Sequence, residues 1–406
     1  MKTKETMLLM FLSGIFLFLS PAYSQKTTIL DNIFTLELTF GDKNLPDEYL
    51  LARPSSYDIA AAPNGDIIVP DEYKLKIFDS NGKPKKIVGG QGQGPGEFTL
   101  YPIVSAAING NICAITPDYI NVYNNQYEFV NSKNLKNDPV INQYVKEKGF
   151  QWFKITRIIP FSQEDMLIYA SNKPALSTLL VDKNVCYSLL LYKSRNDLFP
   201  VVESLSEEYY NDGKMLINIP VPETGRLIYT ELPGKMIAFS DSRIDKIFEN
   251  SKWYYFIYTY DIANRQKKTL IKREYEPAAF PDSLLHPEKA KGYNGNDIIW
   301  SIGNRSFTRK EMNEKKTEIL NKLKYFPPIS NIFYDNNVIF VRLNMYEKNK
   351  GYVVEIFDSE TGKYLRSAYF PFMPVVNNGC AYRIIRGGNV FPYIEKYKIN
   401  PAVYGK

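Results

Sequence analysis

The chain has 406 residues and a formal net charge of +6, with 44% hydrophobic, 14% aromatic and 23% charged residues. That apolar content is enough for a large core and excludes wholesale disorder. Lys and Arg are scattered among Asp and Glu, without the basic stripe of a nucleic-acid binder, so no nucleic-acid partner is expected.

Lys2 and Lys4 precede an apolar run, Met7–Ser20, which Pro21 breaks. Ala22 and Ser24 then place small residues at the −3 and −1 positions before Gln25. This is the layout of a secretory signal peptide over residues 1–24. The run falls short of the ~20 residues that span a bilayer. No other stretch is long and apolar enough to span, so a soluble mature chain with no membrane span is expected. Removing residues 1–24 takes away two Lys and one Glu, which leaves +5. The address is export, to the periplasm or the cell exterior.

The abundance of aromatic residues, 31 Tyr and 24 Phe, favours strands. Phe34–Phe40 alternates as a strand with no partner nearby. Residues 55–98 then form the clearest unit. Tyr57–Ala62, Ile67–Val69, Leu75–Phe78 and Lys86–Val88 read as four strands. Tight turns at Pro63–Asp66, Asp71–Tyr73 and Asp79–Gly82 join them into an antiparallel meander. First-hairpin turns of the same kind recur near residues 110, 165, 234, 336 and 379. The long interval between 234 and 336 has room for a seventh unit. Its second half, however, places Met312, Ile319 and Leu323 at helical spacing, which predicts a surface helix over 308–323. Residues 277–328 therefore read as a partly helical insertion, and six units are expected. The last unit lacks a strand, and Phe34–Phe40 would complete it and close a ring.

Residues 63–98 resemble the NHL repeat. The resemblance runs from the Asn64-Gly65 turn through Ile77-Phe78-Asp79 to the closing Gly92–Phe98 loop. Residues 335–362 match in part, where Ile356-Phe357-Asp358 and Gly362 echo Ile77-Phe78-Asp79 and Gly82. The whole chain looks like the exported six-bladed β-propeller proteins of Bacteroides-type bacteria. The resemblance implies a fold class that is all-β: a single six-bladed propeller of four-stranded antiparallel blades, over residues 25–406. It also implies an envelope location, but no reaction.

No catalytic set is evident. Gly89–Gly96 lacks the following helix that a phosphate loop requires, and reads as an inter-blade connection. Cys113, Cys186 and Cys380 form no CxxC pair, and His286 is the single histidine, so a His/Cys zinc site lacks ligands. A Ser/His/Asp triad would need His286, and no Gly-x-Ser-x-Gly elbow is present. Asp71, Asp118 and Asp241 each follow a second strand and could ring one mouth of the central channel. They would either accept bonds from their own turns or bind calcium. Tyr73, Tyr119 and Arg243 share those turns and complete a candidate ligand face. The expected function is a non-catalytic binding or scaffold propeller whose partner is a protein, peptide or glycan. The alternative is a calcium-dependent propeller hydrolase of the lactonase or lyase kind.

Overall fold

A computed structural model describes residues 29–405, except 43–44, 55–58, 117–118, 136, 151–152, 163, 173–185, 207–208, 212–215, 219–224, 303–304 and 387–390. The signal segment and Asp118 lie outside the described residues. The architecture is a six-bladed β-propeller of four-stranded antiparallel blades.

Blade one comprises Ala60–Ala61, Ile67–Asp71, Lys74–Phe78 and Pro84–Gly89. Blade two comprises Ile103–Ala106, Ile112–Ile115, Tyr119–Tyr123 and Phe129–Asn134. Blade three runs through Phe153–Pro160, Met166–Asn172, Cys186–Lys193 and Leu198–Ser206. Blade four uses Leu227–Leu232, Met236–Asp241, Lys252–Asp261 and Gln266–Tyr275, with a short arm, Lys246–Glu249, also paired to its third strand. Blade five comprises Ile329–Asp335, Val338–Glu347, Gly351–Asp358 and Tyr364–Phe370. Blade six takes Val375–Asn377, Cys380–Ile385 and Tyr393–Ile399 from the C-terminal end. Its outer strand is Phe34–Phe40, paired antiparallel from Phe34 with Ile399 to Phe40 with Ile394. The expected closure is therefore present, and the last blade has no open outer edge along this register.

The core is a ring of six clusters, each shared by two successive blades. Side chains alternate across a strand, so a middle strand faces a neighbouring blade on each side. Ile67 and Val69 pack toward blade six, while Ile68 packs toward blade two. Ile112 and Ala114 face blade one, while Cys113 and Ile115 face blade three. This two-sided burial explains why the second strands are continuous apolar runs rather than half-polar ones. It also explains Cys113, a small buried filler whose thiol burial pushes up to about 12.

The echo between Asp79–Gly82 and Asp358–Gly362 has a packing cause. Each glycine closes a third-to-fourth turn against the outer strand of the preceding blade. A Cβ on Gly82 would lie 2.7 Å from the Phe40 ring, and one on Gly362 would lie 2.0 Å from the Leu270 carbonyl oxygen. Both residues have positive φ, 73° and 68°.

Among the described residues between Tyr275 and Ile329 lie two α-helices, Asp282–Leu285 and Arg309–Leu323, a 3-10 turn, Pro287–Lys289, and a hairpin, Ile298–Ile302 with Arg305–Thr308. Thr308 caps the longer helix, and its hydroxyl accepts from the Glu311 N–H while Glu311 accepts from the Thr308 N–H. Leu320 packs there with Phe280, Met312, Ile319 and Leu323 in a cluster separate from the ring. The helix matches the sequence expectation; the hairpin has no counterpart in it. His286 ends the short helix, half-exposed between Asp282 and Glu288.

Candidate functional site

Each blade's first strand lines the central channel. These strands run from the face bearing the second-to-third turns and inter-blade loops, here called the upper face, to the lower face. The channel encloses a cavity of about 700 Å³, to which the six blades contribute Ala60, Ser105, Arg157, Tyr229, Asn331 and Val375 in turn. A second cavity, of about 470 Å³, opens on the upper face. It is lined by Arg53 and Pro54 of the lead-in segment, Pro70 and Glu72 of blade one, Tyr101 of the following loop, and Arg386 of blade six.

The lower mouth is tied together around the ring. Asp335 of blade five accepts from the N–H groups of Asn378 (2.6 Å) and Gly379 (2.9 Å) in blade six, and from the Tyr404 hydroxyl at 2.6 Å. The Asn377 and Asn378 side chains donate to the carbonyls of Ala62 and Pro63 in blade one. Tyr127 of blade two donates to Asp66 of blade one, and Asn109 donates to the Phe161 carbonyl of blade three. Lys235 of blade four pairs with Asp165 of blade three at 2.7 Å.

On the upper face, Asp71 is 2% exposed and committed to the fold. Its oxygens accept from the N–H groups of Ala52 (3.0 Å) and Arg53 (2.6 Å), and it pairs with buried Lys76 at 2.8 Å. Lys76 also donates to the Leu50 carbonyl. This pair pins the lead-in segment to blade one and so shapes one wall of the upper cavity. Tyr73 packs edge-on against Tyr101, ring centroids 4.9 Å apart, which steadies a second wall. Asp241 is likewise 2% exposed. It accepts from buried Ser204 of blade three and, at 3.1 Å, from both the backbone N–H and Nε of Arg243. Arg243 also donates to Ser204, so the three groups clamp blade three to blade four. Tyr119 is exposed at the start of a blade-two strand. None of the five described residues of the sequence-predicted face lines the channel cavity. No contact joins the blade-one pair to the blade-four pair among the described residues. Nor do three His, Cys, Asp or Glu side chains converge as a metal site among them.

The Gly89–Gly96 segment is an inter-blade connection. The Phe98 N–H donates to the Gly90 carbonyl (2.8 Å), and Tyr123 of blade two donates to the Gly96 carbonyl (3.0 Å). These bonds seat Phe98, 1% exposed, between blades one and two.

Sequence reasoning did not single out the charged groups of the channel. Glu231 of blade four accepts from the Ile108 N–H of blade two at 3.1 Å. Burial pushes its carboxyl up to about 7, although the Ile108 bond works in the other direction. Arg157 and Tyr229 line the same cavity. The available signal was a charge inside an apolar strand: Arg157 in Phe153–Pro160 and Glu231 in Leu227–Leu232. Both of these side chains line the channel cavity.

No protein-family model and no curated protein matches the sequence, so the NHL-repeat resemblance has no family match behind it. Solved structures do align with most of the chain. A candidate exported protein from Bacteroides fragilis is 13% identical over 93% of this chain and 97% of its own, with a TM-score of 0.43. A calcium-binding protein, regucalcin, from Agrobacterium tumefaciens is 7% identical over 90% of this chain and 95% of its own, with a TM-score of 0.39. A luciferin-regenerating enzyme is 9% identical over 84% of this chain and 92% of its own, with a TM-score of 0.38.

Proposed function

We propose that the mature chain is an exported, non-catalytic binding propeller of the bacterial envelope that seats a protein, peptide or glycan at its upper face. The observation that carries this reading is the upper cavity of about 470 Å³, where Tyr101, 49% exposed, and Arg386 project from walls stiffened by prolines. Exposed Tyr and Arg on a rigid frame are effective interface anchors, because little conformational freedom is lost when they are covered. Asp71 supports the reading by shaping that cavity rather than offering free lone pairs. The export half rests on residues 1–24. Among the described residues no helix is long and apolar enough to cross a membrane.

The test is a screen of defined glycan and peptide arrays with the mature chain, repeated with Tyr101→Ala and Arg386→Ala. Ligands seated in the cavity should be lost by both variants at unchanged melting temperature. Ligands retained by both would remove this site. N-terminal sequencing of the exported protein should begin at Gln25. A calcium-dependent hydrolase would need Asp71 and Asp241 released from their present partners, so calcium and chelator should leave the melting temperature unchanged. A calcium-induced rise that Asp71→Asn abolishes would favour the hydrolase instead.

A further inference from the structure

We infer that the upper half of the channel, between blades three, four and five, is a binding site for an oxyanion: a carboxylate, sulfate or phosphate group carried by a ligand. It is distinct from the upper cavity and goes beyond the binding reading above.

The argument starts from donors without acceptors. Arg157, Tyr229 and Asn331 line one cavity. Among the described residues, the Arg157 guanidinium has no ion pair and no hydrogen bond. The Tyr229 hydroxyl has no hydrogen-bond partner among them. Asn331 uses its carbonyl oxygen to accept from the Ile332 N–H, which leaves its NH₂ group unpartnered there. The three come from adjacent blades and are held in place. Arg157 stands opposite Tyr169 in the blade-three register, and the Tyr169 ring lies 5.4 Å from that of Tyr229. Asn331 stands opposite Arg342 in the blade-five register.

Two further guanidinium groups lie outside the lining of that cavity, Arg342 opposite Asn331 in the strand register and Arg226 just before the strand of Tyr229. Arg342 is fixed by its Nε bond to Ser330 (2.6 Å) and by stacking on Tyr352 at 4.2 Å. Arg226, at the upper end of the strand carrying Tyr229, is exposed and has no carboxylate partner among the described residues. Burial lowers the Arg342 pKa, and the Arg226 charge lowers it further. Burial raises the Tyr229 pKa, so this phenol stays a donor, while Arg157 and Arg226 both oppose that rise. Arg157 and Arg226 thus both act on Tyr229, and Arg226 also acts on Arg342. Among the described residues no ion pair joins a channel carboxylate to these arginines. Asp335 is consumed at the lower mouth, and Glu231 is bonded to Ile108.

Arg157 and Arg226 are both exposed to the solvent of the channel, so their mutual repulsion is modest, and an anion held against them and the Tyr229 and Asn331 donors removes it. Guanidinium, phenol and amide N–H groups are all donors, and an oxyanion is all acceptor. The match is therefore chemical as well as electrostatic.

The experiment is calorimetric titration of the mature chain with glucuronate, sulfate and inorganic phosphate, with glucose as the neutral control. At least one anion should bind saturably and glucose should not. Preference for glucuronate would mark a carboxylate-bearing ligand; preference for sulfate or phosphate would mark the other two. Arg157→Gln and Arg226→Gln should each weaken binding roughly tenfold or more, and Tyr229→Phe by less, all with no loss of melting temperature. Tyr101→Ala should leave anion affinity unchanged, which separates this site from the upper cavity. The inference is overturned if no anion binds, if glucose binds equally well, or if neither arginine variant weakens binding.

Discussion

Replacing Glu231 with Gln should make the protein more stable above neutral pH and leave it nearly unchanged in mild acid. Glu231 holds its proton more tightly in the channel than in the unfolded chain, because burial raises its pKa to about 7. The native state then binds more protons than the unfolded state between the two pKa values, and stability falls as pH rises through that window. The loss begins near the ordinary glutamate pKa and is complete once pH passes about 7. From the two pKa values, the ionised side chain costs the native state about 3 kcal/mol at pH 8 and less than about 1 kcal/mol at pH 5. The amide introduced by Glu231→Gln keeps an oxygen to accept from the Ile108 N–H, so the bond survives while the charge is removed. For a propeller of this size the gain is roughly 3–4 °C in melting temperature at pH 8. Asp245, which burial raises to about 6, gives a similar but separate slope in both proteins and cancels in the comparison. Thermal denaturation of parent and variant at pH 5 and pH 8 measures the difference. Equal shifts at both pH values, or a variant less stable than the parent at pH 8, would refute the assignment of the cost to a buried charge.

Asp335→Ala should destabilise by roughly 3 kcal/mol or more, because it strips the acceptor from two backbone N–H groups and the Tyr404 hydroxyl at once. Tyr404→Phe, measured by the same urea titration, should cost only about 1 kcal/mol. Deleting residues 34–40 should expose the Tyr393–Ile399 edge and convert monomer to higher assemblies by light scattering; a stable monomer would show that the ring does not depend on this closure. Thr308→Ala should cost the insertion helix about 1 kcal/mol and speed amide exchange within Arg309–Leu323. The propeller's melting temperature should not move, since that helix packs in its own cluster.

Blade two shows how far local pattern reaches. Its turn at Asn109-Gly110 and its strand Ile112–Ile115 were readable because hairpin geometry and β-propensity act over a few residues. The turn at Asn336-Asn337 is another case, with φ of 47° and 64° at the two residues that join the first strands of blade five. The arm Lys246–Glu249 was not readable, because it pairs with a strand that also pairs elsewhere. Its place is set by the length of the Lys252–Asp261 strand, not by its own residues.

The carboxylates mark the boundary between the two kinds of information. Asp71 and Asp241 could be placed at the ends of second strands from the sequence, since strand and turn positions are local. Their partners could not. Lys76 and the Ala52 and Arg53 amides claim one, and Ser204 from another blade helps claim the other. The sequence by itself determined the blade repeat and the closing strand, because these follow from short-range periodicity and one unmatched strand; it favoured six blades over seven only through the helical spacing in 308–323, and the strand pairing decided the count. Only the tertiary structure decided which side chains meet in the channel. Arg157, Tyr229 and Asn331 are far apart along the chain and share no pattern; ring closure alone brings their strands around one axis.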